Sequence, residues 1–334
     1  MREDDIRPPD LLAEYLRLAA EDAHEMFGAP GALHDRPCPG CDAPASGIVF
    51  EKHGFPYVRC ARCATLFAAR TPDNAGLSEF YRASPSQRYW AEMFFPAVAE
   101  ARRHAIFAPR VAQLRTYLDS HRLTLGSLVD VGAGYGLFLE EARTAALCPS
   151  LKAVEPTASL AARCRNNGFT VFEGFASEAA REAEWRDAAD MAVCFEVIEH
   201  VLSPAGLLRD LSGLVRPGGH VLVTGLAGTG FDIVTLGARS KAVSPPHHLN
   251  FLSPDGAERA CAAAGLQLVD FATPGRLDVD IVSNALAGDP DALSDPFLRN
   301  IVTGGPDLRT AFQKFLVENK LSSHMWILAR KTPR

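Results

Sequence analysis

Three glycines and an acid are the first residues in this chain whose types and spacing could do chemistry. Gly132, Gly134 and Gly136 alternate at the end of the apolar run Leu128-Val129-Asp130-Val131, and the helix-like stretch Leu137-Phe138-Leu139-Glu140-Glu141-Ala142 follows. This pattern predicts a buried strand, a tight turn and a helix start. Glycine at alternate positions frees the backbone and removes Cβ atoms where a ligand must approach the main chain. The third glycine falls two residues after the second, whereas the dinucleotide fingerprint G-x-G-x-x-G would put its last glycine at Leu137, which weighs against NAD. Nineteen residues beyond Gly136, a second strand, Leu151-Lys152-Ala153-Val154, delivers Glu155, placed to accept hydrogen bonds from ribose hydroxyls. The expected ligand carries a ribose.

A second group is made of cysteines. Cys38-Pro39-Gly40-Cys41 is followed, eighteen residues later, by Cys60-Ala61-Arg62-Cys63. Each C-x-x-C turn places two sulfurs on one side of an ion, and four thiolates satisfy tetrahedral zinc. Gly47-Ile48-Val49-Phe50 and Phe55-Pro56-Tyr57-Val58 flank His53-Gly54, so a hairpin can carry the second pair back to the first. The arrangement resembles a zinc ribbon. A rubredoxin-like iron site uses the same ligands; zinc is favoured because no redox-partner motif accompanies them. A closed four-thiolate site has no open position, so its expected task is folding or recognition. The other cysteines, Cys148, Cys164, Cys194 and Cys261, stand in apolar surroundings and read as core residues.

Asp130-Val-Gly-Ala-Gly-Tyr-Gly136, then Glu155, then Cys194-Phe-Glu-Val-Ile-Glu-His200, then Leu214-Val-Arg-Pro-Gly-Gly-His-Val-Leu-Val223 resemble, in order and spacing, the motifs of class I S-adenosylmethionine (SAM)-dependent methyltransferases. The resemblance spans roughly residues 125–330. It implies a Rossmann-like, doubly wound α/β sheet of seven strands, the last antiparallel. It implies SAM as cofactor, held by Asp130, Gly132, Gly134, Tyr135, Gly136, Glu155, Pro156 and Glu196. Members of the family often have an acid for the adenine amino group where this chain has Phe175, which leaves adenine to Phe175, Ala176 and backbone groups. The segment before the glycine turn closes over the cofactor in such enzymes, and Tyr81, Arg88 and Tyr89 are the aromatic and basic residues placed for that.

A sulfonium methyl is already activated, so the enzyme's task is to align a nucleophile with it. A hydroxyl nucleophile needs a base, for which histidine has the suitable pKa. The candidates are His200, then His248, then His247, with Glu199 orienting a base or serving as a helix N-terminal charge. The expected reaction is methyl transfer to a small-molecule acceptor, foremost a hydroxyl of a sugar, glycan precursor or secondary metabolite. A quinone-type substrate and C- or N-methylation, as in zinc-ribbon sugar C-methyltransferases, are the variants. From another class stands a zinc-ribbon adaptor with a non-catalytic SAM domain, against which the intact glycine turn and Glu155 argue.

These residues must be positioned by several elements. Pro8-Pro9-Asp10 starts a helix with one apolar face, a packing or homodimerisation element, within residues 1–35. The ribbon takes 36–70, a helical, cofactor-covering linker 71–120, with a helix from about Ala97 to Tyr117, and the methyltransferase domain 121–334. Apolar strands alternate with helix patterns from Leu128 onward, as a parallel sheet requires. Insertions at 225–254 and 274–319 are where substrate specificity is expected. Pro245-Pro246 predicts an extended approach to His247 and His248.

Composition sets the bounds. Hydrophobic residues make 47% and charged residues 22%, ordinary for a globular protein. Lys plus Arg number 34 against 40 Asp plus Glu, a net charge of −6, so nothing advertises a nucleic-acid partner. The longest apolar stretches are broken by Arg216, His220 or Asp232, and the amino terminus is acidic, so the expectation is a cytoplasmic protein without a membrane span. A reducing cytoplasm also disfavours two disulfides among the four paired cysteines.

Overall fold

The computed structural model describes residues 3–332. Pro9 opens and Gly28 closes a long helix, α1 (Pro9–Phe27), whose buried side chains include Leu12, Ala19, Ala23 and Phe27. Three short strands follow: β1 (Ile48–Lys52), β2 (Phe55–Arg59) and β3 (Leu66–Ala68). His53 and Gly54 join β1 to β2, both at positive φ, the conformation a two-residue hairpin turn demands. The cysteine pairs lie at the end of this small sheet.

The linker is helical almost throughout. Asp73 caps α2 (Asn74–Ala83) and Ser84 caps α3 (Pro85–Tyr89). Next come α4 (Phe95–Arg102) and α5 (Ala108–Ser120), each preceded by a π-helical turn, Trp90–Phe94 and Arg103–Phe107. The helix therefore starts earlier than the sequence pattern indicates and is not uniform. Pro96 and Pro109 explain the irregularity. Each lacks the N–H that a carbonyl one turn earlier would accept, and the ladder slips to longer bonds, Phe95 N–H to Trp90 O and Ala108 N–H to Arg103 O.

From β4 (Ser127–Val131) the chain alternates as expected: α6 (Leu137–Thr144), β5 (Ser150–Glu155), α7 (Ala158–Asn166), β6 (Thr170–Glu173), β7 (Ala189–Phe195), α8 (Pro204–Leu214), β8 (Val215–Leu226). After the first insertion, with α9 (Phe231–Leu236) and β9 (Asn250–Phe251), come α10 (Pro254–Ala263) and β10 (Leu266–Ala272). The second insertion forms α11 (Asp278–Gly288), α12 (Pro296–Val302) and α13 (Pro306–Glu318), and β11 (His324–Lys331) ends the fold. The seven-stranded sheet runs β10-β11-β8-β7-β4-β5-β6. Only β11 is antiparallel, inserted between β10 and β8. Val131, Val154 and Cys194 share a register row near the ends of β4, β5 and β7, and Leu226 pairs with His324 where β8 ends and β11 begins. The carboxyl ends of the parallel strands and the start of β11 therefore form one edge, the place where open α/β sheets bind ligands.

One division read from the sequence does not hold as a physical boundary. β9, inside the first insertion, pairs with β3 and completes a four-stranded sheet, β9-β3-β2-β1, so ribbon and insertion share one core. Nor is the approach to His247 extended: Pro245-Pro246 is cis and residues 245–247 form a turn, with His248 N–H donating to Ser244 O. Arg36 binds the two sheets across this seam. Its guanidinium donates to Ala68 O at 2.8 Å, Leu249 O at 2.9 Å, Leu202 O at 3.2 Å and Asn250 Oδ1 at 2.8 Å. Burial lowers its pKa to about 10, yet it remains charged at neutral pH. Arg36→Ala removes all four of these hydrogen bonds, leaving Leu249 O only its bond from Ala68 N–H, and should cost about 2–4 kcal/mol in urea unfolding; a change below about 0.5 kcal/mol would show that the seam is held elsewhere.

Candidate active site at the sheet edge

Gly132, Gly134 and Gly136 have φ of +73°, +56° and +75°, all in the region that favours glycine. A Cβ on Gly136 would press on Cys164 Sγ at 3.1 Å and one on Gly132 on Val197 Cγ2 at 3.3 Å, whereas one on Gly134 would meet no atom closer than 4.0 Å. The space above Gly134 is open, as a ligand-bearing turn requires. Glu155 is buried; its carboxylate accepts from Gly134 N–H at 2.8 Å and Thr157 N–H at 2.9 Å, so the acid also braces the turn. Asp130 lies beneath, with burial pushing it up to about 8. Tyr135 stacks on Phe95 at 4.5 Å and donates its hydroxyl to Ala91 O, latching the helical cover to the turn. Pro156 is exposed beside Glu155, Phe175 is 64% exposed, and Ala176 is buried.

At the end of β7, Glu196 takes a φ of +55°, rare for a side-chain-bearing residue and a mark of a constrained site. Its carboxylate accepts from Arg110 at 2.7 Å, Thr224 Oγ1 at 2.6 Å and His324 Nε2 at 3.0 Å. Burial would raise its pKa, but His324, Arg110 and Thr224 outweigh burial and hold it well below the usual carboxylate range. Arg110, 5% exposed, lies over the Phe195 ring at 4.5 Å. Glu199 is the opposite case: burial first, and the charge of Glu196 second, push its pKa well above the usual range, and its buried Oε2 has no hydrogen-bond partner.

The histidines gather as the sequence suggests, but not with one role. His200 Nδ1–H donates to His247 O at 2.9 Å, which puts the lone pair on Nε2; the Glu196 backbone carbonyl also faces the ring, and the Tyr81 hydroxyl lies 3.1 Å from the same Nδ1. His248 donates Nδ1–H to Ala242 O at 2.6 Å, and its ring centre is 4.9 Å from that of His200. His247 points the other way. Its ring is buried against Tyr15 and Phe80, accepts from Gln87 Nε2 at 3.0 Å and lies 3.2 Å from Ser86 Oγ, so both nitrogens are committed to structure. Burial lowers His200 to about 3 and His248 to about 4, and His247 well below its ordinary value. Of the cover residues, Tyr81 reaches this cluster. Arg88 is exposed, and Tyr89 packs with Leu12, Phe94 and Val98, because the helical repeat turns both away from the edge.

Two groups could hold a metal. The Sγ atoms of Cys38, Cys41, Cys60 and Cys63 all lie within 4.8 Å of one another, with Cys38–Cys63 at 3.5 Å and Cys41–Cys60 at 3.6 Å. A tetrahedron with Zn–S bonds of about 2.3 Å has edges of about 3.8 Å, so the donors fit. Asp42 and Ala64 close the two C-x-x-C turns in the left-handed region. Glu199, His200 and His248 likewise each offer one donor atom within 4.8 Å of the others.

The family signature described as "Methyltransferase domain" matches residues 98–270, just over half the chain, and takes in the last part of the helical cover, the glycine turn and the β7 edge. The chain belongs to the methyltransferase family. It is 31% identical over 167 residues to a protein named "Ubiquinone biosynthesis O-methyltransferase" from Burkholderia thailandensis, covering 46% of this chain and 71% of that one. A protein of the same name from Xanthomonas euvesicatoria is 31% identical over 180 residues, with 50% and 72% covered. A solved SAM-dependent methyltransferase from Archaeoglobus fulgidus superposes with a TM-score of 0.45 at 15% identity, over 71% of this chain and 100% of that one.

In this methyltransferase the candidate site brings the turn and edge residues read from sequence together with three that were not: Arg110, Thr224 and His324. His324 had a usable signal. An antiparallel last strand must begin at the edge where the parallel strands end, and His324 is its first residue. No helix among the described residues is long and apolar enough to cross a membrane.

Two outcomes follow from this geometry. Gly134→Val, which adds strain at φ +56° and fills the open space, should abolish binding of S-adenosylhomocysteine in calorimetry while the folded circular-dichroism spectrum persists; undiminished binding would move the cofactor elsewhere. Because His200, His247 and His248 are held neutral, with pKa values below the unfolded one of about 6.5, their contribution to stability is present above that pH and is lost as pH falls toward the folded values. Urea unfolding should therefore show stability dropping between about pH 7 and 4, with a shallower drop in His248→Gln.

Proposed function

We propose that this methyltransferase moves the methyl group of SAM onto a hydroxyl oxygen of a small molecule, with His200 Nε2 as the proton acceptor. The observation that carries the reading is the fixed tautomer of His200: Nδ1–H is spent on the His247 carbonyl, and Nε2 is left as a base at the rigid end of β7. Glu199, held neutral, and His248 stand beside it. A base of low pKa is unprotonated at working pH, and it serves best for an acidic hydroxyl. A phenol, with a pKa of about 10, suits it better than the far less acidic hydroxyl of a sugar. The names of the related O-methyltransferases favour the same choice, a hydroxylated ring of quinone-precursor type over the sugar or glycan acceptor suggested by the ribbon.

SAM, when bound, supplies an activated methyl on a sulfonium. Around it, the open turn at Gly132, Gly134 and Gly136 would receive the nucleoside, Glu155 the ribose, and Phe175, Ala176, Pro156 and Tyr135 would flank it. The ion pair Arg110–Glu196 offers opposite charges to the zwitterionic amino-acid end of the donor. Thr224 and His324 keep Glu196 ionised for that task. Tyr81, on the cover, closes over His200. The four-cysteine site takes zinc in this reading, as a structural ion.

His200→Gln should keep S-adenosylhomocysteine affinity within about twofold and reduce methylation of a catechol by roughly 10²- to 10⁴-fold, with partial recovery at alkaline pH where the acceptor ionises unaided. Full turnover in that variant would remove His200 as base. Metal analysis should find one zinc per chain, lost in Cys38→Ser. Since Ser253 and Arg36 tie the ribbon to β9, which also holds the His200 turn, zinc loss should lower turnover as well as stability.

A further inference from the structure

Arg102 is a charged residue at this site to which neither the fold nor the proposed transfer assigns a task. It ends α4, and its guanidinium lies over the Trp90 ring at 5.7 Å and the Phe95 ring at 5.6 Å. Phe95 in turn stacks on Tyr135 of the glycine turn, so two stacked rings connect Arg102 to the turn proposed to receive the cofactor. Its Nε is buried without a hydrogen-bond partner, and among the described residues its guanidinium makes no hydrogen bond or ion pair. Its neighbours are provided for. Arg103 pairs with Glu140 at 3.2 Å and Glu141 at 2.5 Å, and Arg110 pairs with Glu196. Burial, and the charges of Arg7 and Arg110, lower the Arg102 pKa to about 10, while Glu196 is the one carboxylate acting the other way. Glu196 already accepts three hydrogen bonds, and Arg7 faces its own partner, Glu3, at 3.8 Å.

Arg102 is half-buried, with its Nε fully enclosed, and a partly desolvated charge without a counter-ion is costly, so a fold that keeps one at a ligand site gains when an anion arrives there. SAM brings one carboxylate, one ammonium and a sulfonium. The carboxylate and ammonium are matched by Arg110 and Glu196, and the sulfonium adds positive charge beside Arg102. With the donor in place, the site carries a guanidinium and a sulfonium with no anion to balance them. We infer that the acceptor carries an acidic group, a carboxylate, and that Arg102 is the residue that binds it, oriented by Trp90 and Phe95 so that the free edge of its planar fork faces the ligand. The inference rests on the reading of this site as one for a hydroxylated small molecule, and it narrows that class to hydroxy acids.

The test compares 3,4-dihydroxybenzoate with its uncharged isostere 3,4-dihydroxybenzamide, titrated into the full chain loaded with S-adenosylhomocysteine. The benzoate should bind at least tenfold more tightly than the amide. Arg102→Gln should erase the difference, and Arg102→Lys, which keeps the charge and loses the fork, should retain part of it. S-adenosylhomocysteine affinity should stay within about twofold in both variants. Equal binding of the two probes, or binding of neither, overturns the inference. So does a loss of S-adenosylhomocysteine affinity in Arg102→Gln with the probe preference intact, which would make Arg102 the partner of the donor's carboxylate. The underlying reading fails separately: if 4-aminobenzoate is N-methylated and 3,4-dihydroxybenzoate is bound but not O-methylated, the hydroxyl assignment falls and the Arg102 subsite stands.

Discussion

The turn that follows β7 depends on a strand from another sheet. Residues 196–201 leave the end of β7 with Glu196 in a left-handed conformation, which a regular ladder cannot support. β9 and the residue before it supply the missing partners. Leu249 N–H and Asn250 N–H both donate to Glu199 O, at 2.7 and 3.2 Å, and the Asn250 side-chain amide spans Ile198 O and Val201 O. Asn250 itself is fixed by Arg36 and by pairing with Phe67 of the ribbon. The four cysteines are thus at the far end of a continuous hydrogen-bonded path to the proposed base. That gives the ribbon a mechanical reason to accompany this fold, since the geometry at a reacting centre tolerates displacements of only about 1 Å.

Two carboxyl groups on this turn illustrate how one strand end can hold opposite protonation states. Glu196 meets a guanidinium, a hydroxyl and an imidazole, and stays ionised. Glu199, three residues on, is buried beside the neutral rings of His200 and His248 and feels the negative field of Glu196, and its pKa is held well above the usual range. Each state supports the other: ionisation of Glu199 would put two like charges into one buried cluster, and loss of the charge on Glu196 would leave Arg110 buried and unpaired.

How much of this could be read from the residues depends on the range of the interactions. The glycine turn, Glu155 and the cysteine pairs are local patterns whose spacing states their geometry, and the structure brings Glu155 to the turn and, separately, the two cysteine pairs to each other. Tyr81 and His200 are brought within hydrogen-bond distance across more than a hundred residues of sequence, which only a sheet topology can do. Arg36 and Asn250 carry no local signal, because an arginine that stitches carbonyls of three segments looks in sequence like any surface arginine. His247 looked like a base by residue type, but its two nitrogens are occupied by Ser86 and Gln87, contacts that no spacing rule encodes. Arg88 and Tyr89 share a segment with Tyr81, but their places on it turn Arg88 to solvent and Tyr89 against Leu12, Phe94 and Val98.

The face that a helical residue presents also explains why Arg102 and Arg110 reach one site. An α-helix advances about 100° per residue, so an eight-residue separation would leave their side chains offset by roughly 80°. The π turn between them, Arg103–Phe107, winds more slowly and takes most of that offset back. The electrostatic coupling of both guanidiniums to Glu196 agrees with a shared face. Pro109, by withholding one N–H, is therefore a determinant of charge placement: it permits the π turn, the π turn rotates α4 against α5, and the rotation sets two arginines over the edge where β7, β8 and β11 meet.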